Sequence, residues 1–518
     1  MQYPGKMRGS AYWAIALLVG AAACGGSDDE SARKPAATNP VVEGPVTAGG
    51  GPECCFILGG GIDLRDLGYT PGRAFFSDVA FDIAEVGYQQ REYFISGTAT
   101  SYRNTAELES DGRWEIAPAD TAPYKSRIVV HRPVDAADFN GTVIVEWFNV
   151  SGGLDAAPDW LQTQTELMRS GYIWVAISAQ KVGIDGGGAF DIGLKTVDPV
   201  RYGSLRHPGD SFSYDIFSQG AQAVRNPEGI DPLEGLVAKR LIAVGQSQSA
   251  FRLVTYANAV HPTVELFDGF LIHSRGGSSA GLSQAPQANV PSPGVVWLRD
   301  DLPEPIITLQ TETDIFGLGS LAIRQPDTDK LRLWEVAGSA HADIYTTLKS
   351  PIDRGDDPSV ADVVAIAEVR PPFITCAAPA NDGPGHWVAK AAISALDTWI
   401  RSGDPAAAAP LLTVNASETA FAVDEFGNTR GGIRTPYVDV PVARFSGGGQ
   451  GSDAFCGLFG TTTLFDQETL DRLYPSNAAY VAAIHAATDA AVAAGFLLEV
   501  DAALIKTRAP DSGIGAPD

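Results

Sequence analysis

The stretch Leu241-Ile242-Ala243-Val244-Gly245-Gln246-Ser247-Gln248-Ser249-Ala250 holds the residues whose types and spacing could do chemistry. An apolar, partly β-branched run ends in Gly-x-Ser-x-small, and a helix-compatible segment follows. This pattern sets a nucleophilic serine at a sharp strand-to-helix corner with its hydroxyl exposed, and only small side chains fit two residues to either side. Gly245 meets that demand, whereas Ser249 stands where glycine is usual, a mild departure. A serine hydroxyl is a poor nucleophile at neutral pH. It needs a general base within hydrogen-bond reach and a third group to orient that base.

The chain has 7 histidines from which the base must come. His341 lies in Gly338-Ser339-Ala340-His341-Ala342-Asp343, just past a strand-like run from Leu331 to Val336. A loop after a late core strand carries an imidazole back over the nucleophile, so His341 is the expected base. His386, at the start of a helical segment, is the second candidate. His273 ends a strand, but Arg275-Gly276-Gly277 after it reads as a structural turn. The acid should precede the histidine, in the loop after the preceding strand, and Thr311-Glu312-Thr313-Asp314 occupies that place. Asp314, farther into the loop, is preferred, with Glu312 as the alternative acid. The carboxylate not used is expected to be a satisfied loop group or a substrate-pocket group. The oxyanion of a tetrahedral intermediate needs two backbone N–H donors. One is expected from Gln248, directly after the nucleophile, and the second from Val150 or Ser151 in Asn149-Val150-Ser151-Gly152-Gly153; the plainer reading of that stretch is a glycine turn.

Strand-like and helix-like segments alternate around these residues. Glu92 to Ala99 and Ser126 to His131 read as an antiparallel pair; Thr142 to Trp147, Tyr172 to Ile177, Phe270 to His273, Ile306 to Gln310 and Leu331 to Val336 read as further strands. Helical spacing runs through Asp159 to Ser170, Ile216 to Val224 and His386 to Ser402. Strands alternating with helices imply an α/β fold with a mostly parallel sheet covered on both faces, and chemistry at the carboxyl ends of the strands. The segments from Asp185 to Tyr214 and from Pro351 to Gly385 are read as the rim or lid of the substrate pocket.

At 518 residues the chain can bury a large core, and its 45% hydrophobic content is ordinary for a globular protein. A formal net charge of −25 argues against a nucleic-acid partner and disfavours electrostatic docking on anionic lipid. Lys6 and Arg8 precede an uncharged run from Ala11 to Ala23, too short to span a bilayer, and Ala21-Ala22-Ala23-Cys24 ends it. Residues 1–24 therefore read as a lipoprotein-type signal with Cys24 as the lipidated residue, the protein being exported and membrane-anchored, or otherwise simply secreted. Residues 25–60 read as a flexible linker, 61–440 as the catalytic core with its insertions, and 441–518 as a helical extension packed on that core. Without Cys24, four cysteines remain. Cys54 and Cys55 are neighbours, which strains a bridge between them, so Cys376 with Cys456 is the favoured disulfide. Their spacing fits no zinc pattern, and no metal or organic cofactor is expected.

The order Gly245-Gln246-Ser247-Gln248-Ser249, Asp314, His341 resembles the α/β-hydrolase superfamily. More specifically, the chain resembles a bacterial family of alpha/beta hydrolase domain-containing proteins. That resemblance is carried by Val145 to Gly153, Ser178 to Gly183, Arg201 to Leu205 through Tyr214 to Ile216, and the tail Leu473-Tyr474-Pro475-Ser476 with Gly495 to Leu498. It covers about residue 60 to the end. It implies an eight-stranded hydrolase sheet flanked by helices, with cap insertions, and an activity of the serine esterase type on a small-molecule ester. It names no substrate. An acyltransferase or amidase using the same triad, or a surface-tethered binding protein on a hydrolase scaffold, are the alternatives.

Overall fold

Alternate residues of the central strands pack to opposite sides, so both faces of the sheet are buried. In β4 (Thr142–Trp147) Val143 and Val145 join one apolar cluster and Ile144 the other; in β7 (Arg240–Gln246) Leu241 and Ala243 oppose Ile242 and Val244. One cluster is closed by the helices Ser213–Arg225 and Gln248–Thr255, through Phe217, Ala221, Leu253 and Val254. The other is closed by the helices Pro158–Arg169 and Gly385–Ser402, through Trp160, Leu167, Leu396 and Trp399. Each fully buried Val or Ile contributes about 1.5–3 kcal/mol. That is enough to offset the roughly 1–2 kcal/mol of backbone entropy lost per residue, which is why these near-continuous apolar runs settle as strands.

The computed structural model describes residues 38–46, 73–187, 192–369 and 374–515. The signal segment 1–24 with Cys24, and Cys54 and Cys55, lie outside them. The remaining sheet strands are β1 (Val41–Pro45), β2 (Tyr88–Asn104), β3 (Ile116–Pro133), β5 (Ile173–Ile177), β6 (Glu228–Gly229), β8 (Gly269–His273), β9 (Ile306–Thr311) and β10 (Leu331–Val336). They form a ten-stranded sheet in the order β10-β9-β8-β7-β4-β5-β3-β2-β1-β6. Pairing is parallel from β10 through to β5 and antiparallel across β5, β3, β2 and β1. The eight expected strands are present, and the two beyond them, β1 and β6, are short and lie at one end of the sheet. β1 falls inside the segment 25–60 read as linker: Val41 and Val42 pair with Ser96 and Ile95, and buried Val42 joins the core. A five-residue strand with one buried side chain carries too little apolar periodicity to stand out among Gly, Pro and Thr.

The C-terminal region 441–518 contributes a short hairpin, Ala443–Ser446 with Thr461–Leu464, and three helices, Gln467–Leu473, Asn477–Ala493 and Glu499–Arg508. It does more than cover the core. Asp501 is fully buried and accepts hydrogen bonds from Arg169 Nη1 at 2.6 Å and from buried Lys390 Nζ at 3.4 Å. One C-terminal carboxylate thus bonds cations on two core helices, and Arg169 also donates to Glu166 at 2.6 Å. Of the segment read as rim, Ile192, Leu194, Val197, Tyr202 and Leu205 pack with Phe75 and with Phe94 of β2, while His207 Nε2 lies 2.9 Å from Ala179 O just past β5 and Asp210 accepts from Lys181 N at 2.8 Å. Cys376 and Cys456 are joined by a disulfide.

Replacing Asp501 by Ala takes the bonded carboxylate from buried Lys390 and leaves Arg169 with Glu166 alone, and removing one partner of a buried ion pair costs about 3–5 kcal/mol. Urea unfolding of Asp501→Ala is expected to show a loss of that size, and an unchanged midpoint would refute this role.

Candidate functional site

Ser247 sits between β7 and the helix Gln248–Thr255 with φ 59° and ψ −122°, a conformation that L-residues avoid. The corner is pinned by neighbouring backbone. The Ser247 N–H donates to His273 O at 3.0 Å, and Gln246 O accepts from Asn149 Nδ2 at 3.0 Å and Ser249 Oγ at 2.8 Å. The Ser249 departure is explained by the same contacts. Its Cβ lies only 3.2 Å from where a Cβ at Gly245 would be, so glycine at one position allows serine at the other.

His341 Nε2 lies 2.8 Å from Ser247 Oγ, and His341 Nδ1 lies 2.6 Å from Asp314 Oδ1. The other oxygen of Asp314 accepts from Thr311 N at 2.7 Å and Thr311 Oγ1 at 2.8 Å, so the carboxylate is locked in place. Burial alone would raise the Asp314 pKa. The facing imidazole and these donors outweigh burial and hold the carboxyl below its ordinary range. His386 is elsewhere, buried and stacked on Tyr345 with ring centroids 3.6 Å apart. His273 pairs in the interior with Asp159, Nδ1 to Oδ1 at 2.8 Å.

Glu312 is the carboxylate that Ser247 and His341 do not face. Its Oε1 accepts from Gly338 N at 2.7 Å, in the loop carrying His341, and its Oε2 from Gly447 N at 2.9 Å, in the C-terminal region. Burial pushes its carboxyl above the usual range, opposed by those two donors. The adjacent Thr313 Oγ1 accepts from His341 N at 3.1 Å and donates to Gly447 O at 2.7 Å. Gly447 must be glycine, because a Cβ there would lie 2.3 Å from Thr313 N. Gln246 Nε2 donates to His341 O at 2.8 Å, and Ala342 N to Leu458 O at 3.0 Å beside Cys456. Asn381 Nδ2 donates to Gly338 O at 3.1 Å and to Ser446 O at 3.2 Å. Asn149, Gln246, Asn381 and Gly447 were not singled out in the sequence. Side-chain bonds between segments far apart in the chain leave no local pattern to find; only the glycine-rich start of the last segment hinted at a close approach.

The loop after β4 is held from below. Buried Arg127 donates to Asp155 Oδ2 at 3.0 Å and to Glu92 Oε1 at 2.8 Å. Glu146 accepts from Asp159 N, Trp160 N and Trp174 Nε1 at 2.8–3.0 Å, fixing the start of the following helix. Of the two candidate donors, Ser151 N donates to Asn149 Oδ1 at 2.8 Å. Val150 N faces the Gln248 side chain, 3.5 Å from Oε1. The Gln248 N–H opens its helix, where backbone donors have no intrahelical partner. Gln248 Nε2 in turn donates to Gln180 Oε1 at 2.9 Å, and Asp210 accepts from Lys181 N at 2.8 Å and Arg252 Nη2 at 3.2 Å.

A family model described as alpha/beta hydrolase domain matches residues 42–507. The chain belongs to that family. No curated protein matches its sequence. Among solved structures, an a/b serine hydrolase without lid from Xanthomonas campestris is 11% identical, with 46% of this chain and 83% of that chain covered and a TM-score of 0.24. A glucuronoyl esterase from Solibacter usitatus is 11% identical, with 58% and 93% covered and a TM-score of 0.27.

Glu312→Gln keeps the volume but turns an amide N–H toward one of the two backbone donors. A displacement of the His341 loop by about 1 Å costs roughly 100-fold in rate. The folded variant is expected to lose kcat on that scale with KM little changed; full kcat would show that the clamp does not position the imidazole.

Proposed function

We propose that this protein is a serine-dependent carboxylic ester hydrolase working through an acyl-enzyme. The observation that carries the reading is the unbroken hydrogen-bond line from Ser247 Oγ through His341 to Asp314, starting from a partly exposed serine at a left-handed corner. Membership of the hydrolase family supports it.

In this scheme Ser247 Oγ attacks the ester carbonyl carbon while His341 Nε2 takes its proton. Asp314 holds Nδ1–H and stabilises the imidazolium. The carbonyl oxygen becomes an oxyanion that accepts from the N–H groups of Gln248 and Val150. The Gln248 amide oxygen, now beside Val150 N, swings aside as that charge forms. Collapse breaks the bond to the alcohol, which leaves with the proton from His341. Water, activated by the same imidazole, then releases the acid and restores Ser247. The scheme requires no metal or organic cofactor. The same groups would serve amide hydrolysis or transfer to an alcohol acceptor, and product analysis with water and alcohols in competition separates these.

We further propose export and tethering through a lipid on Cys24, on the strength of the basic start, the apolar run and the small residues before that cysteine. Among the described residues no helix is long and apolar enough to cross a membrane. Radiolabelled palmitate incorporated by the wild type and lost in Cys24→Ala is the expected result; no label in the wild type removes the anchor from the scheme.

With p-nitrophenyl acetate, Ser247→Ala is expected to lose about 10⁵-fold or more in kcat and Asp314→Asn about 10⁴-fold. A fluorophosphonate probe should label wild type at Ser247. Undiminished turnover by folded Ser247→Ala would refute the mechanism, and a wild type that neither turns over nor labels would favour a binding role.

A further inference from the structure

The C-terminal region holds a cavity of about 390 Å³, and no triad residue lines it. That volume lies within the range of small-molecule sites. Its walls are apolar, with Val440, Val442, Leu470, Ile484 and Ile505 from four separate segments. Leu464, 47% exposed, and Arg508 stand on the lining where it meets solvent.

Tyr437 and Ser512 on the lining bond Ala361 O and Ala509 O, which leaves Tyr480 and the Arg508–Asp362 pair as the polar groups to consider. Tyr480 is only 8% exposed, yet among the described residues its hydroxyl has no hydrogen-bond partner in the protein. The hydroxyl opens onto the cavity, where it is free to donate to an oxygen of a bound molecule. Burial, and after it the Asp362 carboxylate, pushes this phenol up to about 12, so it stays protonated and able to donate. Arg508 donates from Nε to Asp362 Oδ1 at 2.5 Å and from Nη2 to Asp362 Oδ2 at 2.8 Å. That pairing cancels its charge and leaves the Nη1 hydrogens over, a fork that can still serve an oxygen acceptor.

We propose that this cavity is a second ligand site for a medium-chain aliphatic carboxylic acid or its ester. The chain lies along Ile484, Ile505 and Val440, and the carbonyl oxygen accepts from Tyr480 and Arg508. Apolar walls supply affinity by burying methylenes, and the two donors set the orientation. The site is separate from the nucleophile, so it stands or falls independently of the ester-hydrolase reading.

The test is isothermal titration of full-length Ser247→Ala protein with decanoic acid and, in a second arm, methyl decanoate. Saturable one-site binding of at least one probe is expected, and the arm that binds tells the acid from the ester. Adding Ile484→Trp, which fills the cavity, should weaken binding about tenfold or more, and Tyr480→Phe about three- to tenfold. Should Ile484→Trp fail to fold, as judged by circular dichroism, Val442→Phe replaces it. Absence of binding by both probes overturns the proposal, and so does binding undiminished in the filled cavity, which would place the ligand at Ser247 instead.

Discussion

The constraint on which the rest depends is the backbone of Ser247, a non-glycine residue held at φ 59°. Such a conformation costs about 1–3 kcal/mol and persists only where its surroundings over-determine it. Here they do. Neighbouring strands fix the corner from both sides: β8 accepts the serine N–H, and Asn149 after β4 bonds the carbonyl just before it. Gln246 then reaches from the same corner to the backbone of His341, so Ser247 and the imidazole are tied by more than their own hydrogen bond. The buried parallel sheet gives this corner its stiffness, since β7 is flanked on both sides and covered on both faces.

The two neighbouring carboxylates show how surroundings assign roles. Asp314 and Glu312 lie two residues apart and are both buried. One faces an imidazole and is held anionic below its usual range; the other faces two backbone N–H groups in a site that pushes its pKa up. Pairs pushed apart in this way have separated duties. Glu312 spans the acid loop, the histidine loop and Gly447, and so makes the C-terminal region a structural member of the site.

Much of this was legible in the residues. The strands Thr142–Trp147 and Leu331–Val336 stand where their runs begin and end: most of their residues are apolar, and the buried carboxylates Glu146 and Glu335 within them are each bonded. Ser247, Asp314 and His341 were found by order along the chain, and the structure brings them within hydrogen-bond reach. Less visible were the contacts that cross long sequence distances. The bond from Ser151 N to the Asn149 side chain leaves no mark in the sequence, and the two long strands β2 and β3 extend well beyond the short runs that mark them. β1 leaves little trace because a short strand near the end of the sheet needs few apolar residues to pair.

The histidine loop rests on Gly447 and on the backbone of Leu458, beside the disulfide at Cys456. All three lie more than a hundred residues beyond His341 in the chain. During synthesis the serine corner and the imidazole therefore emerge long before the segments that hold them in register. A chain terminated before Gly447 carries Ser247, Asp314 and His341 and still lacks the backbone on which the histidine loop rests.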